Sequence, residues 1–405
     1  MHWPMNPLTR RRFLLGSGAL AVSAAIPNAL FAYTGGSSRL VVVIMRGALD
    51  GLAAAPPYAD PDYASLHREL AIAAPGAADG ALKLDNTFGL HPSLAFLHEK
   101  YLGGELLVFQ AVASPYRDRS HFDGQNVLEN GLTKPLGTAD GWLNRALASM
   151  PRSAHLTERA VAISQNVPLI LRGEAAVLTK SPQATPDVDE DLLSRLADLY
   201  SKDDWFSARL SEAVQTEKIT DDSGGMSAAQ APPADRITGV ARMAGTLMKS
   251  EGGPQIAVLE ATGWDTHANQ GGAKGALAQR LAGLDHALRT LAEELGALWP
   301  QTAVLVVTEF GRTAAMNGTR GTDHGTGGCA FLAGGAVRGG RVIADWPGLS
   351  HTALLDNRDL RPTLDLRSVF KGVLDEHMHV DAKTLDSRIF PDSSNARPLQ
   401  GLMRS

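Results

Sequence analysis

The sequence predicts an α/β protein built on a mostly parallel sheet. Short apolar runs rich in β-branched residues recur at 39–45, 106–112, 160–164, 256–260 and 302–308. A strongly amphipathic segment, about 273–298, separates the last two runs. Strand, helix, strand is the order that right-handed crossovers between parallel strands require.

Each element has its own signal. Arg39 to Met45 contains Leu-Val-Val-Val-Ile, a continuous apolar run that reads as a strand buried on both faces. Leu94 to Leu102 reads as a helix leading into the strand Leu106 to Val112. Ser120 stands where a helix toward Glu129 begins, and a serine oxygen there can accept a first-turn N–H. Ala160 to Ser164 and Ile256 to Glu260 are further short strands. From about Ala273 to Leu298, Leu277, Leu281, Leu284, Leu288, Leu291 and Leu295 recur at helical steps and make one apolar stripe. Thr302 to Thr308 follows as the clearest strand. Residues 181–236 break the pattern, with a polar start and a Gly-, Ser-, Ala- and Pro-rich stretch at 221–233. They read as a helical insertion followed by a loop, either a cover over a site or a surface excursion.

Composition narrows the function. The chain has 405 residues, 44% hydrophobic and 20% charged, which suits a large globular core and not a disordered chain. Lys plus Arg is 38 and Asp plus Glu is 43, so no basic surplus favours nucleic acid or an anionic membrane as partner. Cys329 is the sole cysteine, which excludes an intramolecular disulfide and a cysteine-based zinc site. Twelve histidines remain available as metal ligands or acid–base groups.

The N-terminus reads as an address. Residues 9–15 are Thr-Arg-Arg-Arg-Phe-Leu-Leu, followed by an apolar stretch to about Ile26 and small residues near Ala29 and Ala32. This is the layout of an export signal, and the paired arginines before Phe-Leu resemble a twin-arginine leader. The apolar part is shorter than the ~20 residues a membrane span needs. The alternative is a basic anchor helix that is never cleaved. The expectation is a leader over 1–32, the twin-arginine translocase as partner during export, and a periplasmic or secreted mature chain with no stable membrane span. Removing 1–32 takes away three arginines and no acids, moving the net charge from −5 to −8.

Polar clusters fall where strands end, which is where sites form in open α/β sheets. The first strand is followed by Arg46-Gly47-Ala48-Leu49-Asp50-Gly51, and the second by Arg117-Asp118-Arg119-Ser120-His121-Phe122-Asp123. Gly263-Trp264-Asp265-Thr266-His267 follows the 256–260 strand. Glu309-Phe310-Gly311-Arg312-Thr313 and then Gly321-Thr322-Asp323-His324-Gly325 follow the last one. Their common placement predicts one converging site.

In an extended segment, Asp265 and His267 point the same way and can share a metal. A carboxylate with an imidazole suits zinc, manganese or iron better than calcium. The alternative is a hydrogen-bonded pair that stiffens the loop. Asp323 and His324 are adjacent, so one is expected to ligate and the other to support it. Glu309, directly after a buried strand, must be metal-bound or paired with Arg312 or Arg320. Asp50 is either a ligand or a turn residue. Ser120 is a simple cap, or a nucleophile if a metal lowers its pKa. His121 is a candidate ligand or proton donor. Arg46, Arg119, Arg312 and Arg320 are candidates to clamp phosphate or sulfate, with ordinary salt bridges as the alternative.

Together the leader, Arg-Gly-Ala-Leu-Asp-Gly-Leu (46–52), Gly-Leu-His-Pro (89–92), Arg-Ser-His-Phe-Asp (119–123), Gly-Trp-Asp-Thr-His (263–267), Thr-Glu-Phe-Gly-Arg-Thr (308–313) and Gly-Thr-Asp-His-Gly (321–325) closely resemble the DUF1501 family of exported bacterial proteins. That family is similar to the alkaline phosphatase and sulfatase superfamily. The resemblance implies a three-layer α/β/α fold with a mostly parallel central sheet, in a single domain over 37–405. It implies one or two divalent metals, zinc or manganese, held among Asp50, Asp265, His267, Glu309, Asp323 and His324. It also implies Ser120 as nucleophile, with His121 and Arg312 beside it, acting on an anionic phosphate or sulfate ester. Two departures stand out. Glu309-Phe310 replaces the superfamily's Asp-His pair, and Asp265 and His267 are spaced by one residue instead of three. A catalytically inactive binding or assembly protein on the same fold is the alternative.

Overall fold

Alternate side chains of one strand feed two separate cores. In the computed structural model, β1 (Arg39–Arg46) sends Val41, Val43 and Met45 into one apolar cluster and Leu40, Val42 and Ile44 into another. Period-two alternation with both faces apolar is the mark of a strand covered by helices above and below. The structure describes residues 38–151, 159–182, 210 and 233–404. The expected leader lies outside them, as does most of the 181–236 insertion.

The strands in chain order are β1, β2 (Leu82–Lys83), β3 (Gly89–Leu90), β4 (Leu106–Ala113), β5 (Ala160–Ile163), β6 (Leu178–Lys180), β7 (Ile256–Thr262), β8 (Thr302–Thr308), β9 (Gly328–Ala333), β10 (Arg341–Ile343) and β11 (Leu364–Asp365). The central sheet runs β10-β4-β9-β8-β1-β7-β5-β6, with β11 also on β4, and β2-β3 form a separate ribbon. β1 pairs in parallel with β7 and β8, and β5 with β6 and β7. β9 is antiparallel to both neighbours, so the sheet is mostly but not wholly parallel.

The principal helices are α1 (Gly51–Ala54), α2 (Tyr63–His67), α3 (Ala95–Leu102), α4 (His121–Asn130), α5 (Trp142–Ser149), α6 (Pro233–Lys249), α7 (Ala276–Leu295) and α8 (Leu366–Glu376). α3, α6 and α7 pack on one face of the sheet through residues such as Leu97, Leu247 and Leu281. α5 and α8 cover the other face through Trp142, Leu143, Phe370 and Leu374. The result is three layers, helix on sheet on helix. The leucine stripe expected over 273–298 is α7, with Leu277, Leu281, Leu284, Leu288, Leu291 and Leu295 all buried. The helix is shorter than expected at both ends, because Gly275 precedes its first residue with φ 125° and Gly296 turns the chain into a 3₁₀ segment, Gly296–Gln301.

This topology decides where the polar clusters go. β1, β7 and β8 are parallel neighbours, so the segments after Arg46, Thr262 and Thr308 emerge at one edge. β9 runs opposite to β8, so the loop entering it, which carries Asp323 and His324, returns to that same edge. Among the described residues no helix is long and apolar enough to cross a membrane.

Candidate metal centre

Four side chains from three segments meet at this edge. His121 opens α4, Asp265 and His267 follow β7, and His324 precedes β9. His121, Asp265 and His324 each offer a ligand atom, and these atoms lie within 4.8 Å of one another. His267 Nε2 is 3.0 Å from His324 Nε2 and 3.0 Å from Asp265 Oδ1. His324 Nε2 is 3.3 Å from Asp265 Oδ1, and His121 Nε2 is 3.4 Å from Asp265 Oδ2.

The other ring nitrogen of each histidine is already engaged. His121 Nδ1 donates to Glu309 Oε1 at 2.9 Å, His267 Nδ1 to Asp323 Oδ1 at 3.2 Å, and His324 Nδ1 to the Arg119 carbonyl at 2.9 Å. A proton committed to Nδ1 leaves the Nε2 lone pair free in a neutral ring. Three such lone pairs therefore converge beside one carboxylate. His121 Nε2 is buried and makes no hydrogen bond. Among His267, His324 and Asp265 these distances, 3.0–3.3 Å, are close to the ~3.3 Å edge expected around a tetrahedral ion with bonds of about 2.0–2.1 Å, while His121 joins Asp265 and His324 within the wider 4.8 Å. The donor set thus fits a zinc-like divalent cation, and the acceptors behind the imidazoles are the supports that metal-bound histidines use. Asp265 and His267 stay 40% and 43% exposed at their side chains, so the centre opens to solvent.

The electrostatics follow from these contacts. The Glu309 hydrogen bond lifts the His121 imidazole above its ordinary pKa against the effect of burial, aided by the Glu309 and Asp265 charges. Burial, with the nearby His121 and Arg312 charges, pushes His324 below its ordinary value. Burial alone would raise the Asp265 carboxyl, but the Arg312 guanidinium and the neighbouring His267 and His121 hold it below the carboxylate range. The Asn317 amide lowers Asp323, against burial and with help from His267.

Local backbone features set these positions. Gly47 has φ 118°, and a Cβ there would lie 2.7 Å from the Asp265 nitrogen. Its own N–H donates to Glu309 Oε1 at 2.8 Å. Arg119 adopts φ 63°, in the left-handed region that a non-glycine residue rarely occupies. Its carbonyl is the acceptor for His324.

The structure does not bring every expected residue to this point. Asp50 is buried as the N-cap of α1, its Oδ1 accepting from the Leu52 and Ala53 N–H groups. Its Oδ2 accepts from Gln270 Nε2 at 2.7 Å and faces His67 Nε2 at 3.2 Å. Glu309 is fully buried, with Oε1 accepting from Gly47, His121 and Gln125 and Oε2 from the Thr308 hydroxyl. The salt bridge to Arg312 or Arg320 considered for Glu309 is replaced by His121. Asp323 accepts from His267 Nδ1 and from Asn317 Nδ2, while its neighbour His324 is held by the Arg119 carbonyl.

Ser120 occupies the N-cap position of α4, but its side chain accepts no capping hydrogen bond. Tyr116 receives the Ser120 N–H on its phenol oxygen at 3.1 Å. The expected arginine clamps all meet protein acceptors. Arg46 lies between Glu129 and Glu260, Arg119 reaches Asp356 and Asp359, and Arg320 reaches Asn269. Arg312 is buried and donates to Asp265 Oδ1 at 2.6 Å and to the side chain and carbonyl of Thr322. Sequence reasoning missed His67, Gln270, Thr322 and Asn317. None of them stands in a motif that signals its partner, and Gln270 meets Asp50 across 220 positions.

A three-layer α/β/α protein with a histidine-rich, solvent-open centre is thus the class defined by fold and site. Residues 37–389 match the family model described as "Protein of unknown function (DUF1501)", and the chain belongs to that family. No curated protein matches the chain. Among solved structures the chain is similar to the PsFucS1 sulfatase from a Pseudoalteromonas species, at 13% identity, covering 96% of this chain and 77% of that one, with TM-score 0.40. It is also similar to the phosphonate monoester hydrolase of Agrobacterium radiobacter, at 12% identity over 83% and 73% of the two chains, with TM-score 0.37. A third likeness is to the C-terminal periplasmic domain of EcEptC from Escherichia coli, in complex with Zn, at 12% identity over 74% and 73%, with TM-score 0.35.

Proposed function

We propose that this protein is an exported, metal-dependent hydrolase of phosphate or sulfate esters with a single metal centre. The observation that carries the metal reading is the convergence of three Nδ1-tethered imidazoles on the Asp265 carboxylate. His121, Asp265, His267 and His324 would hold the ion, while Glu309, Asp323 and the Arg119 carbonyl hold the imidazoles. When bound, zinc or manganese supplies Lewis acidity to an ester oxygen and lowers the pKa of a nearby hydroxyl. Hydrolysis of an anionic ester by Ser120 rests on the motif resemblance. Ser120 is the nucleophile; it precedes His121 at the start of a ten-residue helix and is free of capping duty. The first N–H groups of α4 favour negative charge there. Arg312 acts on Asp265 and not directly on substrate. The chain carries a twin-arginine leader over 1–32 and works in the periplasm or outside the cell.

A specific observation favours a second reading, an inactive exported binding or assembly protein. Asp50 and Glu309, ligands in the resemblance, already accept from protein donors, and this supports the second reading because a clamp of two metals ~4 Å apart would draw on their oxygens. Metal content separates the readings. Mass spectrometry on untagged protein exported through its own leader is expected to find one equivalent of a divalent metal, lost in Asp265→Ala and in His324→Ala. Folded, metal-free wild-type protein sinks the metallohydrolase reading.

A further inference from the structure

A line of buried polar groups runs inward from the metal centre. Arg312 donates from NH1 to Asp265 Oδ1 at 2.6 Å and from Nε to Thr322 Oγ1 at 3.1 Å. The Thr322 hydroxyl donates to Gln270 Oε1 at 2.9 Å, and the Thr266 hydroxyl donates to the same oxygen at 2.7 Å. Gln270 Nε2 donates to Asp50 Oδ2 at 2.7 Å, and His67 Nε2 faces that same oxygen at 3.2 Å. His67 Nδ1 ends the line on the Ala314 carbonyl at 2.8 Å. Arg312, Thr322, Gln270, Asp50 and His67 are each 0–1% exposed.

The direction of every bond is set by the two ends. Arginine only donates, and an ionised aspartate only accepts. With Asp50 as acceptor, the Gln270 amide must present nitrogen to it and oxygen to the two threonines. The opposite amide orientation would set oxygen against the carboxylate. The Thr322 hydroxyl must then donate to Gln270, which leaves its lone pairs toward Arg312 Nε. A network satisfied in one direction only rigidifies its members. Arg312 has no other anchor for Nε, and its NH1 holds the oxygen that faces His267 and His324.

We infer that Gln270 and Thr322, backed by Asp50 and His67, are positioning residues that set the metal affinity of the centre by fixing Arg312 against Asp265. None of the four contacts the ion's place. The inference rests on the metal-centre reading, and the experiment keeps the two apart. Zinc affinity is titrated against a chromophoric chelator in the full mature chain, for wild type, His324→Ala, Thr322→Val, Thr322→Ser and Gln270→Met, with thermal melts on each. The expected result is tight binding by wild type, none by His324→Ala, and affinity 10- to 100-fold weaker in Thr322→Val and Gln270→Met, the ~10–100-fold span of lost outer-shell partners. Thr322→Ser, which keeps the hydroxyl, restores wild-type affinity. If wild type binds no zinc, the metal-centre reading itself fails. If wild type binds and His324→Ala does not, but a folded Thr322→Val or Gln270→Met binds as wild type does, the positioning inference is overturned. It is equally overturned if neither variant folds, because the line then serves the stability of the core.

Discussion

At the scale of single residues, the centre separates the converging His121, Asp265, His267 and His324 from the groups that hold their imidazoles. Ser120, the proposed nucleophile, is the residue on which the enzyme and binding-protein readings part. Ser120→Ala is expected to keep the full metal content and lose ester hydrolysis by ~10³-fold or more, as removal of a nucleophile does. Retained hydrolysis in a generic phosphate and sulfate ester screen would remove the nucleophile assignment. Glu309 acts one layer back, holding His121 Nδ1 at 2.9 Å. Glu309→Ala is expected to weaken zinc binding ~10–100-fold without abolishing it, and a chelator competition titration measures the difference. Glu309 was legible as a residue that must be metal-bound or paired, since it directly follows a buried strand. Its partner was not legible. His121 lies 188 positions away, and adjacent arginines are the nearer choice on sequence alone.

At the scale of elements, α7 and the loop before β9 make opposite predictions. Leu281 is fully buried in the leucine stripe. Leu281→Ala is expected to cost ~2–5 kcal/mol, as buried leucine truncations do, and to leave metal content unchanged. Denaturant melts and mass spectrometry check both. Gly321 lies in the loop, where a Cβ would fall 2.3 Å from the His267 carbonyl carbon and 2.4 Å from its oxygen. Gly321→Ala is therefore expected to displace His267 and weaken zinc binding, with a stability cost of ~1–3 kcal/mol typical of overpacking. Wild-type affinity in that variant would show that the loop yields without moving the ligand. The stripe was legible because helical periodicity is a local property. The close approach of Gly321 to His267 was not, because a glycine in a loop reads equally as a turn.

At the scale of the whole molecule, the buried His67–Asp50 pair ties stability to pH. Burial alone would raise the Asp50 carboxyl, yet His67 and the Gln270 and Ala53 hydrogen bonds hold it below its ordinary value. Burial alone would lower the His67 imidazole, yet the Asp50 charge and hydrogen bond and the Ala314 carbonyl hold it above. A raised histidine stabilises fully below its unfolded pKa of about 6.5, and the gain is lost as pH rises through the folded value. A depressed aspartate stabilises above its unfolded pKa of about 3.9, and the gain is lost as pH falls through the folded value. The Tm gap between wild type and His67→Gln is thus expected to be widest from about pH 4 to 6.5 and to shrink on the alkaline side. A gap independent of pH in scanning calorimetry would mean that the pair is not ionised. The sequence by itself determined the class of fold, the main strands, the leucine helix and the segments that meet at the strand ends. These follow from periodicity and from charged residues placed directly after apolar runs, which are local signals. Only the tertiary structure decided that His121, Asp265, His267 and His324 meet while Asp50 and Glu309 turn to protein donors. That choice depends on which strands are neighbours and on contacts up to 262 positions apart, as between Gly47 and Glu309. No spacing rule reads such contacts from one chain.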